Sequence, residues 1–188
     1  GADYAPTSLK SAFEILRQTD TGMDIDFRVP QYKVTLEEAN GQTFHRIEMP
    51  GSASLMKSGY PDLPVITTSI AIPHQGGVNI EVLNSQQSVI TQYNAYPLQQ
   101  GAELQSPKSF VQNAQYYSSG GPYPAAAIEY SDPVILRDFR IITVQVNPFS
   151  YNPITKDLTV HTYIQMRVNF TNQPGINELP GPVQYISP

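Results

Sequence analysis

Three histidines, His45, His74 and His161, are the scarce chemical resource of this chain, because it has no cysteine to act as nucleophile or thiolate ligand. None stands in a His-x-His or His-Glu-x-x-His spacing, so each reads as an ordinary surface or half-buried histidine rather than a metal ligand or general base. Asp24 with Asp26, and Glu129 with Asp132 and Asp138, carry oxygens that calcium could use. Neither group has the dense Asp/Asn/Gly loop of a dedicated site, and turn capping or surface charge fits them better. Tyr116, Tyr117, Tyr123 and Tyr130 could stack on a sugar or a base, but with so little positive charge nearby they fit better as anchors packing a loop. No catalytic residue, metal or cofactor is expected.

Lys108 stands apart. It is the only charged residue between Glu103 and Glu129, it follows Ser106 and Pro107 and precedes Ser109, and it lies in the middle of a long aperiodic stretch. A solvated loop lysine is the plain reading of the residues alone.

The elements that must position these groups are strands. With 17 prolines and 12 tyrosines in 188 residues, and only 14% of residues charged, the chain has the profile of many short strands joined by Pro-containing turns. Its length suits one domain with a core built on apolar burial. A net charge of −5 with 11 scattered Lys and Arg provides no patch that could neutralise phosphates, so nucleic acid is not an expected partner. No apolar run approaches the roughly 20 residues of a membrane-spanning helix.

Along the chain, Leu9, Phe13 and Leu16 fall at helical spacing within Ser8 to Gln18, which admits a short amphipathic helix. Tyr32, Val34 and Leu36 alternate with polar residues, Asn40-Gly41 is a strong hairpin signal, and His45, Ile47 and Met49 alternate on the return. Further strands are expected at Val65 to Ile72, after the turn Tyr60-Pro61-Asp62-Leu63-Pro64, and at Val78 to Val82 after Gly76-Gly77. The stretch 94–124 has no sustained period and four prolines, and an irregular excursion of that length is the first place to look for a binding element. Ile135 to Val146 reads as one long strand. Leu158 to Phe170 reads as another, and the tight connection Asn152 to Asp157 predicts that the two pair as a hairpin. These readings give an all-β antiparallel β-sandwich of two packed sheets and about seven to nine strands.

One run of residues carries more than a fold class. Ser131-Asp132-Pro133-Val134-Ile135-Leu136-Arg137-Asp138-Phe139-Arg140, then Asn147-Pro148-Phe149-Ser150-Tyr151-Asn152-Pro153-Ile154-Thr155-Lys156 and the closing alternating strand, resembles the propeptides of gingipain-type cysteine peptidases in order and spacing. Upstream, Gly59-Tyr60-Pro61-Asp62-Leu63-Pro64 resembles the family's Gly-x-Pro-x-Leu-Pro turn, and the likeness covers most of Gly59 to Phe170. The motif residues Pro61, Leu63, Pro64, Asp132, Pro133, Arg137, Asp138, Tyr151, Asn152 and Pro153 read as structural.

The resemblance implies a prodomain without catalytic residues of its own, from a secreted, periplasmic or cell-surface bacterial precursor. Its partner would be a cysteine peptidase domain of caspase-like fold in the same precursor, kept latent by covering of its cleft and assisted in folding. It also implies that a basic residue on a prodomain loop fills the specificity pocket, which points to Ser106, Pro107, Lys108 and Ser109, with Lys108 as the pocket residue. The expected organisation is an N-terminal extension or short helix over 1–23, the sandwich over 24–172, and a linker over 173–188 leading to the peptidase domain. A carbohydrate-binding or adhesion module of a bacterial surface protein is the alternative, supported by the Tyr-rich loop and low charge.

Overall fold

The computed structural model describes residues 12–100 and 109–180, which form an all-β antiparallel architecture with one short helix. The first half contains β1 (Phe13–Thr19), β2 (Gly22–Arg28), β3 (Lys33–Ala39), β4 (Gln42–Glu48), β5 (Ala53–Ser54), β6 (Pro64–Ile72) and β7 (Gly77–Ile90). Helix α1 (Ala114–Ser119) then precedes β8 (Ile128–Tyr130), β9 (Val134–Leu136), β10 (Phe139–Val146), β11 (Phe149–Asn152) and β12 (Asp157–Thr171). One five-stranded sheet runs β1-β2-β12-β11 with β7 on the far edge of β12; a second runs β5-β6-β10-β8 with β9 beside β10; β3 and β4 form a separate ribbon.

Alternation builds the core between the two large sheets. Leu158, Val160, Ile164, Met166 and Val168 of β12 are buried, as are Met23, Ile25 and Phe27 of β2, Ile66, Ile70 and Ile72 of β6, and Ile142, Val144 and Val146 of β10. Each such side chain contributes about 1.5–3 kcal/mol by leaving water, which is the main stabilising term available to a chain without disulfides. On the outer face of the first sheet, Asp24 is gripped by Arg167 (Nε to Oδ1, 2.8 Å) and Arg17 (Nε to Oδ2, 3.1 Å). Hydrogen bonds from Arg167 first and Arg17 second hold its carboxyl well below the usual carboxylate range.

Several sequence expectations hold. Asn40 and Gly41 both take positive φ, 49° and 74°, the pair that a two-residue hairpin turn needs between β3 and β4. The strand through Ile66 to Ile72 and the alternation of the last strand are present as read.

Others are corrected. Residues 13–18 of the segment with helical spacing form β1, because pairing with β2 from Phe13↔Phe27 to Thr19↔Gly22 outweighs local spacing. A boundary at residue 23 therefore falls inside β2, and β1 and β2 belong to the first sheet. Ile135 to Val146 is not one strand: Arg137, with φ of 56°, and Asp138 turn the chain between β9 and β10. Arg137 and Arg140 thus do not share a strand. The flanking apolar run hides this turn, which has neither Gly nor Asn to signal it.

Nor do β10 and β12 pair with each other. Asn147, buried, accepts from Gln145 Nε2 at 2.9 Å and donates to the Ala126 carbonyl at 2.9 Å, fixing a bend with Pro148 through which the chain crosses from the second sheet to the first. The hairpin partner of β12 is β11, through Phe149↔Val160 to Asn152↔Asp157. With β1, the split of β9 from β10 and the brief β5 and β8, the described residues hold twelve strands, more than the seven to nine expected.

The exit of the chain is also held. Arg140, only 1% exposed, donates to the carbonyls of Pro73 (3.1 Å), Gly76 (2.8 Å) and Ile176 (2.6 Å). Glu178 accepts from the backbone N–H groups of Gly76 and Gly175, both at 3.1 Å, Asn177 donates to the Pro133 carbonyl at 2.8 Å, and Leu179 N–H reaches the His74 carbonyl at 2.8 Å. The described part of the expected linker is clasped to the body, because the buried guanidinium takes one of its three carbonyl partners, Ile176, there and the other two, Pro73 and Gly76, in the β6–β7 turn.

Candidate functional site

The irregular excursion leaves the first sheet after β7 and is laced into the rest of the chain on both of its limbs. On the outgoing limb, Asn94 accepts from His45 N–H at 2.7 Å while its own N–H reaches His45 Nδ1 at 2.9 Å, and Tyr96 N–H meets the His45 carbonyl at 3.0 Å. Asp62 N–H then donates to the Tyr96 carbonyl (2.8 Å), Leu98 N–H to Tyr60 (2.8 Å) and Gly59 N–H to Leu98 (2.9 Å). On the returning limb, Asn113 N–H donates to the Gly59 carbonyl at 3.0 Å. Gly59 therefore bonds both limbs, and its φ of 81° with an added Cβ only 3.1 Å from Asn113 N explains why glycine occupies it.

One side chain closes the stem. Gln99 accepts from Val111 N–H through Oε1 at 2.8 Å and donates through Nε2 to the Val111 carbonyl at 2.6 Å, reproducing with an amide the two bonds of an antiparallel strand pair. Gln100 Nε2 donates to the Met56 carbonyl at 2.9 Å. Beneath, Phe110 packs against Phe44 and Tyr96 at centroid distances of 5.6 and 6.0 Å, and the guanidinium of Arg46 lies 4.3 Å over the Tyr96 ring while bonding Asp62 at 2.9 Å. Of the candidates in the loop, Ser106, Pro107 and Lys108 lie outside the described residues, and Ser109 stands exposed at the start of the returning limb.

The tyrosines behind the stem form its foundation. Tyr117 donates to the Ala95 carbonyl at 2.7 Å, Tyr116 to Tyr151 at 3.3 Å and Tyr151 to Tyr93 at 2.8 Å. Burial pushes the phenols of Tyr93, Tyr116 and Tyr117 up, so all three stay protonated; Tyr116 and Tyr117 donate, while the buried Tyr93 hydroxyl has no partner among the described residues. Tyr123 exchanges backbone bonds with Tyr151 at 2.9 and 2.8 Å, and Tyr130 lies apart on β8. The rings of Tyr93, Tyr116 and Tyr151 are buried and cannot serve as a sugar platform.

The motif residues divide into packed and exposed positions. Leu63 is buried and its carbonyl accepts from Leu55 N–H at 3.0 Å, Pro61 bridges Pro97, and Pro64 opens β6. Pro133 is buried and its carbonyl accepts from Asn177, while Asp132, Arg137 and Asp138 are exposed. Tyr151 is buried; Asn152 Oδ1 caps the turn through Ile154 N–H (2.9 Å) and Thr155 N–H (3.2 Å), with Pro153 buried between. Among the histidines, His45 braces the loop and burial lowers the pKa of His161. The described residues hold no group of three or more His, Cys, Asp or Glu able to bind a metal, and no helix among them is long and apolar enough to cross a membrane.

Sequence reading missed Gln99, Phe110 and Asn113, and named Gly59 only as the start of the turn motif, without its bonds to both limbs. Of the three missed, Asn113 alone has a local signal, as an N-cap before Ala114 to Ser119 with Gly120 after it: its Oδ1 accepts from Tyr116 N–H at 2.9 Å.

Comparison with known proteins places this framework. The model of the Propeptide_C25 family matches residues 9–178. Gingipain R1 of Porphyromonas gingivalis is 30% identical over 130 residues, 67% of this chain and 13% of that protein. Lys-gingipain of the same organism is 24% identical over 155 residues, 78% of this chain and 9% of that protein. The chain thus spans about a tenth of the length of the relatives it matches. Among solved structures, a chain from the complex of the Porphyromonas gingivalis RgpB pro- and mature domains superposes with a TM-score of 0.79 at 24% identity, covering 89% of this chain and 88% of that one. A structure concerned with the zymogenic latency of gingipain K from the same organism gives 0.72 at 21% identity, covering 90% and 95%. A family match over nearly the whole chain and a shared fold agree: this chain belongs to the Propeptide_C25 family.

Proposed function

We propose that this chain is the latency-keeping prodomain of a gingipain-like cysteine peptidase, exported by a bacterium, and that it holds the braced loop in the active-site cleft of the peptidase domain in the same precursor. The observation that carries this reading is the stem: the Gln99 and Val111 pair and the double bond set of Gly59 fix both ends of the loop that contains Lys108. Eleven residues lie between Gln99 and Val111, so the chain can project at most roughly 18 Å beyond the stem and return. That reach suits entry into a cleft.

Lys108 supplies the chemistry. A lysine entering a desolvated pocket lined by a carboxylate makes a charge-assisted hydrogen bond, and Pro107 before it reduces the entropy lost on ordering. With both limbs held in advance, fewer rotors remain to be fixed on binding. By covering the cleft during synthesis, the same contact would assist folding of the peptidase domain.

The test is inhibition in trans. Added to the mature peptidase released from its own precursor, this chain is expected to block peptide hydrolysis, and Lys108→Ala to weaken the block about a hundred-fold, as truncating one partner of a buried charge pair does. Lys108→Arg should keep more of the potency than Lys108→Ala. Full potency in Lys108→Ala would reject Lys108 as the pocket residue, and no inhibition by the unaltered chain would reject the reading as a whole.

A further inference from the structure

The imidazole of His45 holds the outgoing limb of the loop in a way that only one of its protonation states allows. Its Nδ1 accepts from the Asn94 N–H at 2.9 Å, so Nδ1 carries no proton and the neutral ring keeps its proton on Nε2. The same residue bonds the limb through its backbone, giving its N–H to the Asn94 carbonyl (2.7 Å) and accepting from the Tyr96 N–H (3.0 Å). Asn94 Nδ2 adds a bond to the Thr43 carbonyl at 3.1 Å. The imidazole also stacks on the buried ring of Tyr93, with centroids 5.0 Å apart.

A proton added at Nδ1 turns this acceptor into a donor that faces another donor, and the Asn94 N–H loses its side-chain partner. The charged groups around the ring are already engaged. On the face of the β3–β4 ribbon that His45 shares, its cross-strand partner is Leu36, and Glu38 of that face accepts from Thr43 Oγ1 at 2.6 Å. The opposite face holds Arg46 with Glu37, and Lys33 paired with Glu48; Asp62, from the turn before β6, is bonded to Arg46. The limb itself brings Tyr93, whose phenol burial keeps protonated, and Lys156 reaches it through its carbonyl, which accepts from Tyr93 N–H at 2.9 Å.

We infer that His45 is a positioning residue of the block, setting the outgoing limb fully only as a neutral imidazole, so that acid loosens the limb and weakens latency; this rests on the reading that the loop enters the peptidase cleft. Imidazole is the side chain that changes charge between about pH 5 and 8. The sign follows from the bond: the bonded form is the unprotonated one, so the block is strongest on the alkaline side and declines as the pH falls. The backbone bonds of His45 do not titrate, and the limb is therefore loosened rather than released. A limb less well fixed in advance costs more to order in the cleft. Latency thereby acquires a pH dependence built into the prodomain, separate from that of its partner's catalytic groups.

The experiment measures inhibition of the mature peptidase by this chain, by His45→Asn and by His45→Phe across about pH 5 to 8, with folding checked by thermal unfolding at each pH. Asn offers an amide oxygen in place of Nδ1 and does not titrate, whereas Phe keeps a ring against Tyr93 and has no acceptor. Dividing the inhibition constant of the unaltered chain by that of His45→Asn at the same pH removes the peptidase's own titration. The inference expects this ratio to rise about ten-fold from pH 8 to pH 5, and His45→Phe to be about ten-fold weaker than the unaltered chain at pH 8 but equal to it at pH 5, the effect of one hydrogen bond. Nitrogen NMR of the ring in the unaltered chain, which needs no variant, should find Nδ1 unprotonated at pH 8. A ratio that stays flat, or a proton on Nδ1 at pH 8, would overturn the role of His45 and leave the latency reading standing. No inhibition by the unaltered chain at any pH would reject that reading and this inference with it.

Discussion

The side-chain amide of Gln99 satisfies both backbone groups of Val111, taking the place of a strand neighbour where the chain has none. This side chain therefore joins the loop's two limbs directly, beside the backbone bonds that both limbs make to Gly59. Gln99→Glu keeps the acceptor but loses the donor, and leaves the Val111 carbonyl facing a carboxylate. This variant is expected to lose inhibitory potency several-fold while its melting temperature changes little, because the stem lies outside the sheet core. Inhibition assays paired with thermal unfolding check this.

Gly59 carries the opposite kind of prediction. Its positive φ strains any L side chain, and a Cβ 3.1 Å from Asn113 N would push that backbone back by a few tenths of an ångström, so Gly59→Ala is expected to destabilise the domain by about 1–3 kcal/mol. Urea unfolding measures this directly. A neutral effect would mean that the two limbs are not held through this residue.

Asp24 predicts a pH dependence with a definite sign. Its folded pKa is depressed by Arg167 and Arg17, so its stabilisation is fully present above the unfolded carboxyl value of about 3.9 and is lost as the pH falls through and below it. Asp24→Asn should cost about 2 kcal/mol at pH 7. The gap between the two proteins should narrow steadily below about pH 4. A gap independent of pH would show that the charge of Asp24 is not what stabilises the β1, β2 and β12 face.

Arg140 is the buried cation of the exit. Its guanidinium serves three backbone carbonyls, and burial lowers its pKa. Arg140→Met would leave those carbonyls unpaired and is expected to destabilise the domain by about 2–4 kcal/mol. Hydrogen exchange at Leu179, whose N–H bonds His74, should accelerate more than exchange in β12. Equal acceleration in both would assign Arg140 to the core alone.

What the sequence made legible follows from period and turn chemistry. β12 and the Asn40-Gly41 hairpin were readable because one face is buried and the turn needs residues that tolerate positive φ. β1 was not, because its exposed residues carry no alternation and its identity is fixed by β2. Separation of β10 from β12 hinges on the buried bonds of Asn147, which an Asn-Pro pair announces only as a turn. The loop was located by its lack of period, and Lys108 by its isolation in charge. Its bracing was hidden because Gln99, Gly59 and Asn113 meet only through tertiary contact.

The central claim is that the loop between Gln99 and Val111 enters the cleft of the downstream peptidase. Placing a photo-crosslinking amino acid at Ser106 in the full precursor, and mapping the residues captured on irradiation, tests it most directly. The account predicts crosslinks to the walls of the active-site cleft. Crosslinks confined to another surface, or to the prodomain itself, would contradict it.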